Sequence, residues 1–304
     1  MLRTTLVAAA ALCAMLPGLA AAEQDWNQVA AALGRPGQLM PGGVYRVGLP
    51  RTDLHVTLDG VEIKPTLALG SWLAFKEVSP GQAMVMGDLV LTETEVNPVM
   101  LRLAESGIDI TAVHNHLLRA QPATFYMHVL GHGDPTKLAT ALREALGESR
   151  TPLAAPASAS SQPPSAAPAQ PQGVELDTAM IDRVLGAHGR AVSGVYQVGI
   201  PRAAPVRDHG MEVPEAMGSA EAINFQPTGG GKAAITGDFV LTADEVNPVL
   251  RALRENGIEV TALHNHMLDD EPRLFFLHFW ANDDTAKLAQ GLRAALDRIK
   301  VARS

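Results

Sequence analysis

The chain has 304 residues, of which 47% are hydrophobic and 18% charged, with a formal net charge of −8. That apolar content is enough to bury a core and excludes a disordered chain. The acidic balance, with no lysine or arginine cluster, excludes nucleic acid and anionic lipid surfaces as natural partners.

In chain order, the first 22 residues carry Arg3, an apolar run from Leu6 to Leu16, Pro17 and an Ala20-Ala21-Ala22 end. This is the layout of a secretory signal cleaved near Ala22, and its apolar run is too short for a membrane span. The expectation is a periplasmic or secreted protein without integral membrane association. Cys13, the sole cysteine, lies inside that segment after Leu12. Lipid anchoring is not expected, and the mature chain would use neither disulfides nor thiol chemistry.

Residues 149–173 are almost entirely Pro, Ala, Ser and Gln, a composition that reads as a tether. On either side the same text recurs at an offset of about 150 residues. "GVYRVGLPR" (43–51) returns as "GVYQVGIPR" (194–202), and "GDLVLTETEVNPV" (87–99) as "GDFVLTADEVNPV" (237–249). The expected organisation is a signal at 1–22, one repeat domain at 23–148, the linker at 149–173 and a second repeat domain at 174–304.

Each repeat predicts a short helix (Trp26 to Leu33; Thr178 to Leu185), then a Gly-rich turn and strands around Val44 to Val47, Leu67 to Phe75 and Met84 to Leu91. Thr92 and Glu95, like Thr242 and Glu245, have the spacing of a capping box, which predicts a helix stopped by Gly107 or Gly257. Two strands follow, Ile108 to His116 and Thr124 to Leu130, repeated as Ile258 to His266 and Leu274 to Trp280. An amphipathic helix (Pro135 to Leu146; Asp284 to Ile299) closes each copy. This order predicts an α+β fold: two tandem homologous domains, each a largely antiparallel sheet with helices packed on one face.

The chemistry concentrates in "TAVHNHLL" (111–118) and "TALHNHML" (261–268). Strand alternation puts His114 and His116 on the core-facing row of Ile108, Ile110 and Ala112. Hairpin arithmetic sets His128 opposite His116 and His278 opposite His266. Each domain would then hold its own trio, His114, His116 and His128 or His264, His266 and His278, within reach of one divalent transition metal such as Zn, Cu, Ni or Fe, with a coordination position left open. The alternative is that these histidines are hydrogen-bonded caps at strand ends.

Asp88 and Asp238 follow a shared glycine, where they serve either as turn or bulge aspartates or as carboxylates orienting a histidine. Glu95 and Glu245 are acid or base candidates that the capping box already explains. Arg51 and Arg202, each after a shared proline, suit either an anionic group or, in preference, a surface salt bridge. Glu271 faces Gln121 in the other copy, which excludes a shared fourth ligand, and "QPTGGGKAAITGD" lacks the order of a phosphate loop.

With the "GD(L/F)VLT", "EVNPV" and "ALHNH" series in view, the sequence resembles the LppY/LpqO-type family of secreted bacterial proteins, domains of unknown function. The resemblance covers nearly all the mature chain, once per copy. It implies an exported protein and brings no established activity; Cys13 lacks the lipobox of its lipoprotein relatives. Three functions remain open: a binding protein for a metal ion or small metal-chelated ligand, a metal-dependent hydrolase or lyase, and a metal-free interaction module.

Overall fold

The computed structural model describes residues 24–153 and 174–302. Residues 1–22, read as a signal, and most of the expected tether lie outside the described residues. Among the described residues no helix is long and apolar enough to cross a membrane.

The first domain runs α1 (Trp26–Leu33), β1 (Gln38–Met40), β2 (Val44–Pro50), β3 (Val56–Leu58), β4 (Val61–Ile63), α2 (Pro65–Ala68), β5 (Gly70–Ser79), β6 (Gln82–Thr92), α3 (Glu93–Glu105), β7 (Asp109–His114), β8 (Thr124–Gly133) and α4 (Pro135–Leu146). The second repeats it as α5 (Thr178–Leu185), β9 (Arg190–Val192), β10 (Val195–Pro201), β11 (Arg207–Asp208), β12 (Met211–Glu212), β13 (Ala220–Gly229), β14 (Lys232–Thr242), α6 (Ala243–Glu255), β15 (Glu259–His264), β16 (Asp270–Glu271), β17 (Leu274–Asp284) and α7 (Thr285–Leu296). Each main sheet has six strands, ordered β1-β2-β5-β6-β8-β7 and β15-β17-β14-β13-β10-β9. All their pairings are antiparallel. The α+β class stands.

Local signals account for the helices. Asp25 caps α1, the Thr92–Glu95 capping box starts α3, and Asp134 caps α4 through Thr136 and Lys137 N–H. The helices bury one sheet face, where Val29, Leu33, Val99, Leu103, Leu138 and Leu142 meet Val85, Leu89, Met127 and Val129. A matching core fills the second domain.

The other faces of the two sheets pack against each other. Each segment between the first and second long strands, β2 to β5 and β10 to β13, reaches across: Val56, Leu58, Ile63 and Leu67 share a core with Val195, Ala234 and Trp280 of the second domain. Reciprocally, Val206, Val213 and Met217 pack with Val44, Ala74, Met84 and Leu130 of the first. Polar bonds fasten the exchange, with Gln226 accepting from Lys64 N–H and donating to Glu62 O, and Trp280 Nε1 donating to Asp59. The result is a four-layer sandwich, helices outside and two sheets within, in which the domains are pseudo-twofold partners.

Ser149 to Leu153, read from composition as tether, belong to the first domain. Arg150 N–H donates to Glu95, Thr151 is buried, and Leu153 packs on the helix-side core. Arg51, expected at the surface, is fully buried. It forks onto Glu95 at 2.8 and 3.1 Å and onto Asp53 at 2.8 and 2.9 Å, and donates to Val90 O. Arg202 repeats the pairing with Glu245 and Val240 O. Removing one partner strands the other charge, so Arg51→Met should cost about 3–5 kcal/mol, read as a lowered urea midpoint. A loss below about 1 kcal/mol would put this pair in the class of exposed ones.

Candidate metal centre

The six histidines form one group at the centre of the domain interface: the members of each expected trio do come together, but the two trios adjoin instead of standing apart in separate domains. Ring centroids of His114 and His264 are 3.4 Å apart, His116 and His278 3.6 Å, and His128 and His266 3.7 Å. Within a domain the separations are larger, 5.0 Å for His114 to either His116 or His128, and 4.9 and 5.2 Å for His264 to His278 and His266. Every ring therefore has its nearest imidazole in the other domain. The pseudo-twofold axis passes between His114 and His264.

Two local features place them so. The β7–β8 register shifts between Ile110 and Ala112, so Ile110 opposes Val129 on the helix side while Ala112 opposes His128 on the interdomain side. The bulge flips the face of the row, and His114 leaves the helix-side core to which the alternation had assigned it. Strand β7 then ends at His114, leaving His116 in the following loop with its ring 3.4 Å from that of Tyr126. His128 consequently opposes Ala112 and Asp88, not His116, and His278 opposes Ala262 and Asp238, not His266. His266 stacks on Phe276 as His116 does on Tyr126.

Asp88 and Asp238 sit in regular pairing rather than at a bulge, since the shift in β5–β6 falls between Glu77 and Ser79. They face the same space as the rings. Asp238 Oδ2 lies 3.3 Å from His266 Nε2 and its Oδ1 3.9 Å from His278 Nε2, while Asp88 Oδ2 is 4.0 Å from His116 Nε2. The outward nitrogen is held by backbone instead. His278 Nδ1–H donates to Gly237 O at 2.9 Å, His128 bonds Gly87 in the same way, and His264 Nδ1 bonds Asn265 O at 3.0 Å. Such bonds fix the tautomer that leaves the Nε2 lone pair aimed inward. Glu95 and Glu245 are engaged by Arg51 and Arg202 and by their helix caps.

The inner atoms make no hydrogen bond in the protein. Of fourteen buried side-chain polar atoms without a hydrogen bond among the described residues, nine belong here: Nε2 of all six histidines, Nδ1 of His114, and Oδ1 of Asp88 and Asp238. Orphaned polar atoms are rare and costly in folded proteins, and their concentration at one point needs a physical cause. One ligand atom from each of His114, His116, His128 and His264 lies within 4.8 Å of the others, and the same holds for His264, His266 and His278.

Burial sets the electrostatics. Desolvation, reinforced by His264, pulls His114 down to about 3, and desolvation pulls His264 to about 4. It also holds His116, His128, His266 and His278 well below the usual imidazole range, and pushes Asp88 up to about 8 and Asp238 well above the carboxylate range. The imidazoles are neutral at physiological pH, the state in which they ligate metals. Depressed histidine values mean that the unfolded chain binds more protons, so their stability is present above about pH 6.5 and is lost as pH falls toward 4. The raised aspartates act oppositely, weakening the fold as pH rises toward 8, but six imidazoles outnumber two carboxyls. Metal-free protein should therefore lose stability below pH 6.5, by about 1.4 kcal/mol per pH unit for each net proton. Urea unfolding at pH 5 and pH 6.5 measures this, and equal midpoints would contradict it.

Sequence reasoning missed several residues. Asn265 of the His-Asn-His motif donates to Thr111 O across the interface and to Met267 O, and Thr111 Oγ donates to His266 O. The motif's recurrence marked it as special, yet nothing local assigned this cross-domain bond. Tyr126 and Phe276 signalled only a strand. A cleft of about 1050 Å³ between the domains reaches the cluster through Asp88, His116, Asp238, His266 and His278.

Fold and site together define a tandem-repeat α+β protein with a buried interdomain histidine cluster. The family described as Domain of Unknown Function (DUF1259) matches residues 27–148 and again 179–298. The chain belongs to this family, in two copies. No curated protein matches it. Two solved structures are distantly similar. One, a trimeric bacterial microcompartment shell protein PduB, is 12% identical over 89% of this chain and 96% of its own, with a TM-score of 0.21. The other, EtuB from Clostridium kluyveri, is 9% identical over 86% and 88%, with a TM-score of 0.20. At such scores the likeness carries no argument.

Proposed function

We propose that this is an exported binding protein that holds a transition metal, or a small metal-chelated ligand, at the interface of its two repeats. The observation that carries the reading is the convergence of six buried Nε2 atoms, none of which makes a hydrogen bond. Neutral imidazoles with two nearby carboxylates suit Zn, Cu, Ni or Fe, and a pool of eight such side chains is sufficient for one or two ions. Backbone acceptors on His128, His264 and His278 supply the outer support that metal-ligating histidines ordinarily have. The motif series also supports placing the chain among the LppY/LpqO-type secreted proteins, and the layout of residues 1–22 supports export.

Elemental analysis of protein purified without an affinity tag, stripped and then offered Zn, Cu, Ni or Fe, tests this. About one or two retained equivalents are expected. Failure to retain any of these ions removes the metal reading and leaves the metal-free interaction module. One observation favours a second reading, metal-dependent hydrolysis or lyase chemistry: the cleft brings open space to the cluster. A bound ion with a free position would lower the pKa of its water there, with Asp88 or Asp238 available to take a proton.

A further inference from the structure

The two ends of the cluster are related by the pseudo-twofold but are not alike. His128, Asp88 and Trp72 lie in register across β8, β6 and β5, and His278, Asp238 and Ala222 across β17, β14 and β13. Where the first repeat has an indole, the second has a methyl group. The consequence appears in the space beside each histidine. His128 borders a pocket of about 10 Å³ closed by Trp72, Met86 and Met217, room for a single water at most. His278 borders the cleft of about 1050 Å³.

The cleft also carries unmatched cations. Arg46 lies with its guanidinium 4.2 Å above the Trp72 ring and gives one N–H to Ala216 O. Its counterpart is Gln197. Arg190 enters from the other domain to line the same cleft. Burial lowers Arg46 to about 10, Asp88 favours its charge and Arg190 opposes it; the guanidinium is still charged at neutral pH. By contrast Glu221 on the cleft wall is held by Val240 N–H and faces Arg202 at 3.8 Å.

Resting on the metal reading above, we infer that the cleft is a site for a small oxyanion, a carboxylate or phosphate group, ligating the metal at the His116–His278–Asp238 end and ion-paired to Arg46. His128, behind Trp72, borders only the small pocket and takes no exogenous group. The metal supplies the atom that the anion ligates, and Arg46 is the one cation set against it, so binding requires the loaded protein. A planar guanidinium fork matches either oxyanion, and the ligand's remaining bulk has the cleft to occupy.

The test is calorimetric titration of the full chain, zinc-loaded and zinc-free, with inorganic phosphate and separately with succinate, metal content being measured on each sample. Binding of at least one anion is expected only to the loaded form, and the stronger of the two identifies the group. Arg46→Gln, which installs the second repeat's residue, should weaken it about tenfold or more with zinc retained. Ala222→Trp, which installs the first repeat's stopper, should abolish it, again with zinc retained. Near-UV circular dichroism of each variant verifies the fold; should Ala222→Trp misfold, Arg46→Gln alone decides. A fully loaded protein that binds neither anion, or binds as well after Arg46→Gln, overturns the inference and leaves the metal reading standing. A chain that takes up none of Zn, Cu, Ni or Fe removes both, and one that takes another of these ions in place of zinc is titrated loaded with that ion.

Discussion

Replacing His114 alone by alanine should lower the affinity of the whole protein for its metal by about a hundredfold or more, rather than emptying half of a set of independent sites. The reason is geometric. His114 lies on the pseudo-twofold axis, 3.4 Å from His264 and about 5 Å from His116 and His128 by ring centroids, so it borders ligands from both repeats. His264→Ala should reproduce the effect from the other side, and the double variant should add less than the sum of the two, as expected for groups acting on one centre. Competition titration with a chromogenic chelator measures each affinity. A variant that keeps half the metal at wild-type affinity would restore the picture of one autonomous trio per domain.

Gly237→Ala should destabilise the protein by about 3 kcal/mol or more, and more than Gly87→Ala at the matching place. A Cβ on Gly237 would stand 2.0 Å from the Ala222 carbonyl oxygen and 2.6 Å from Phe279 Cζ, both set within the sheet. On Gly87 it would meet Leu73 Cδ2, the end of a flexible side chain, at 2.6 Å, and the Trp72 carbonyl only at 2.9 Å. The first clash has no inexpensive relief. Because Gly237 O also accepts from His278 Nδ1, a backbone shift there turns the imidazole, and metal affinity should fall with stability. Urea unfolding of the two variants gives the order, and equal midpoints would contradict the close approach at Gly237.

Much of the fold was legible because it is locally encoded. The Thr92–Glu95 and Thr242–Glu245 pairs announce helices that start where the caps say, and the final helices follow from apolar spacing after Asp134 and Asp284. The same locality misled at Arg51. After a proline shared by both copies it reads as a surface salt bridge, but its decisive partner, Glu95, lies 44 residues away, and that distance is closed only by the sheet.

The histidines divide the same way. Their chemical identity, their recurrence in both repeats and the antiparallel strands that carry them follow from sequence alone, because residue type and periodicity are properties of short segments. Which face they occupy was decided by a bulge after Ile110 and Val260, whose extra residue is defined only against the partner strand. That six rings make one centre was decided by the packing of two sheets whose inner faces had no other cover. A sheet face is matched by whatever surface buries it best, and that choice is made between segments far apart in the chain, where a linear pattern carries no distance.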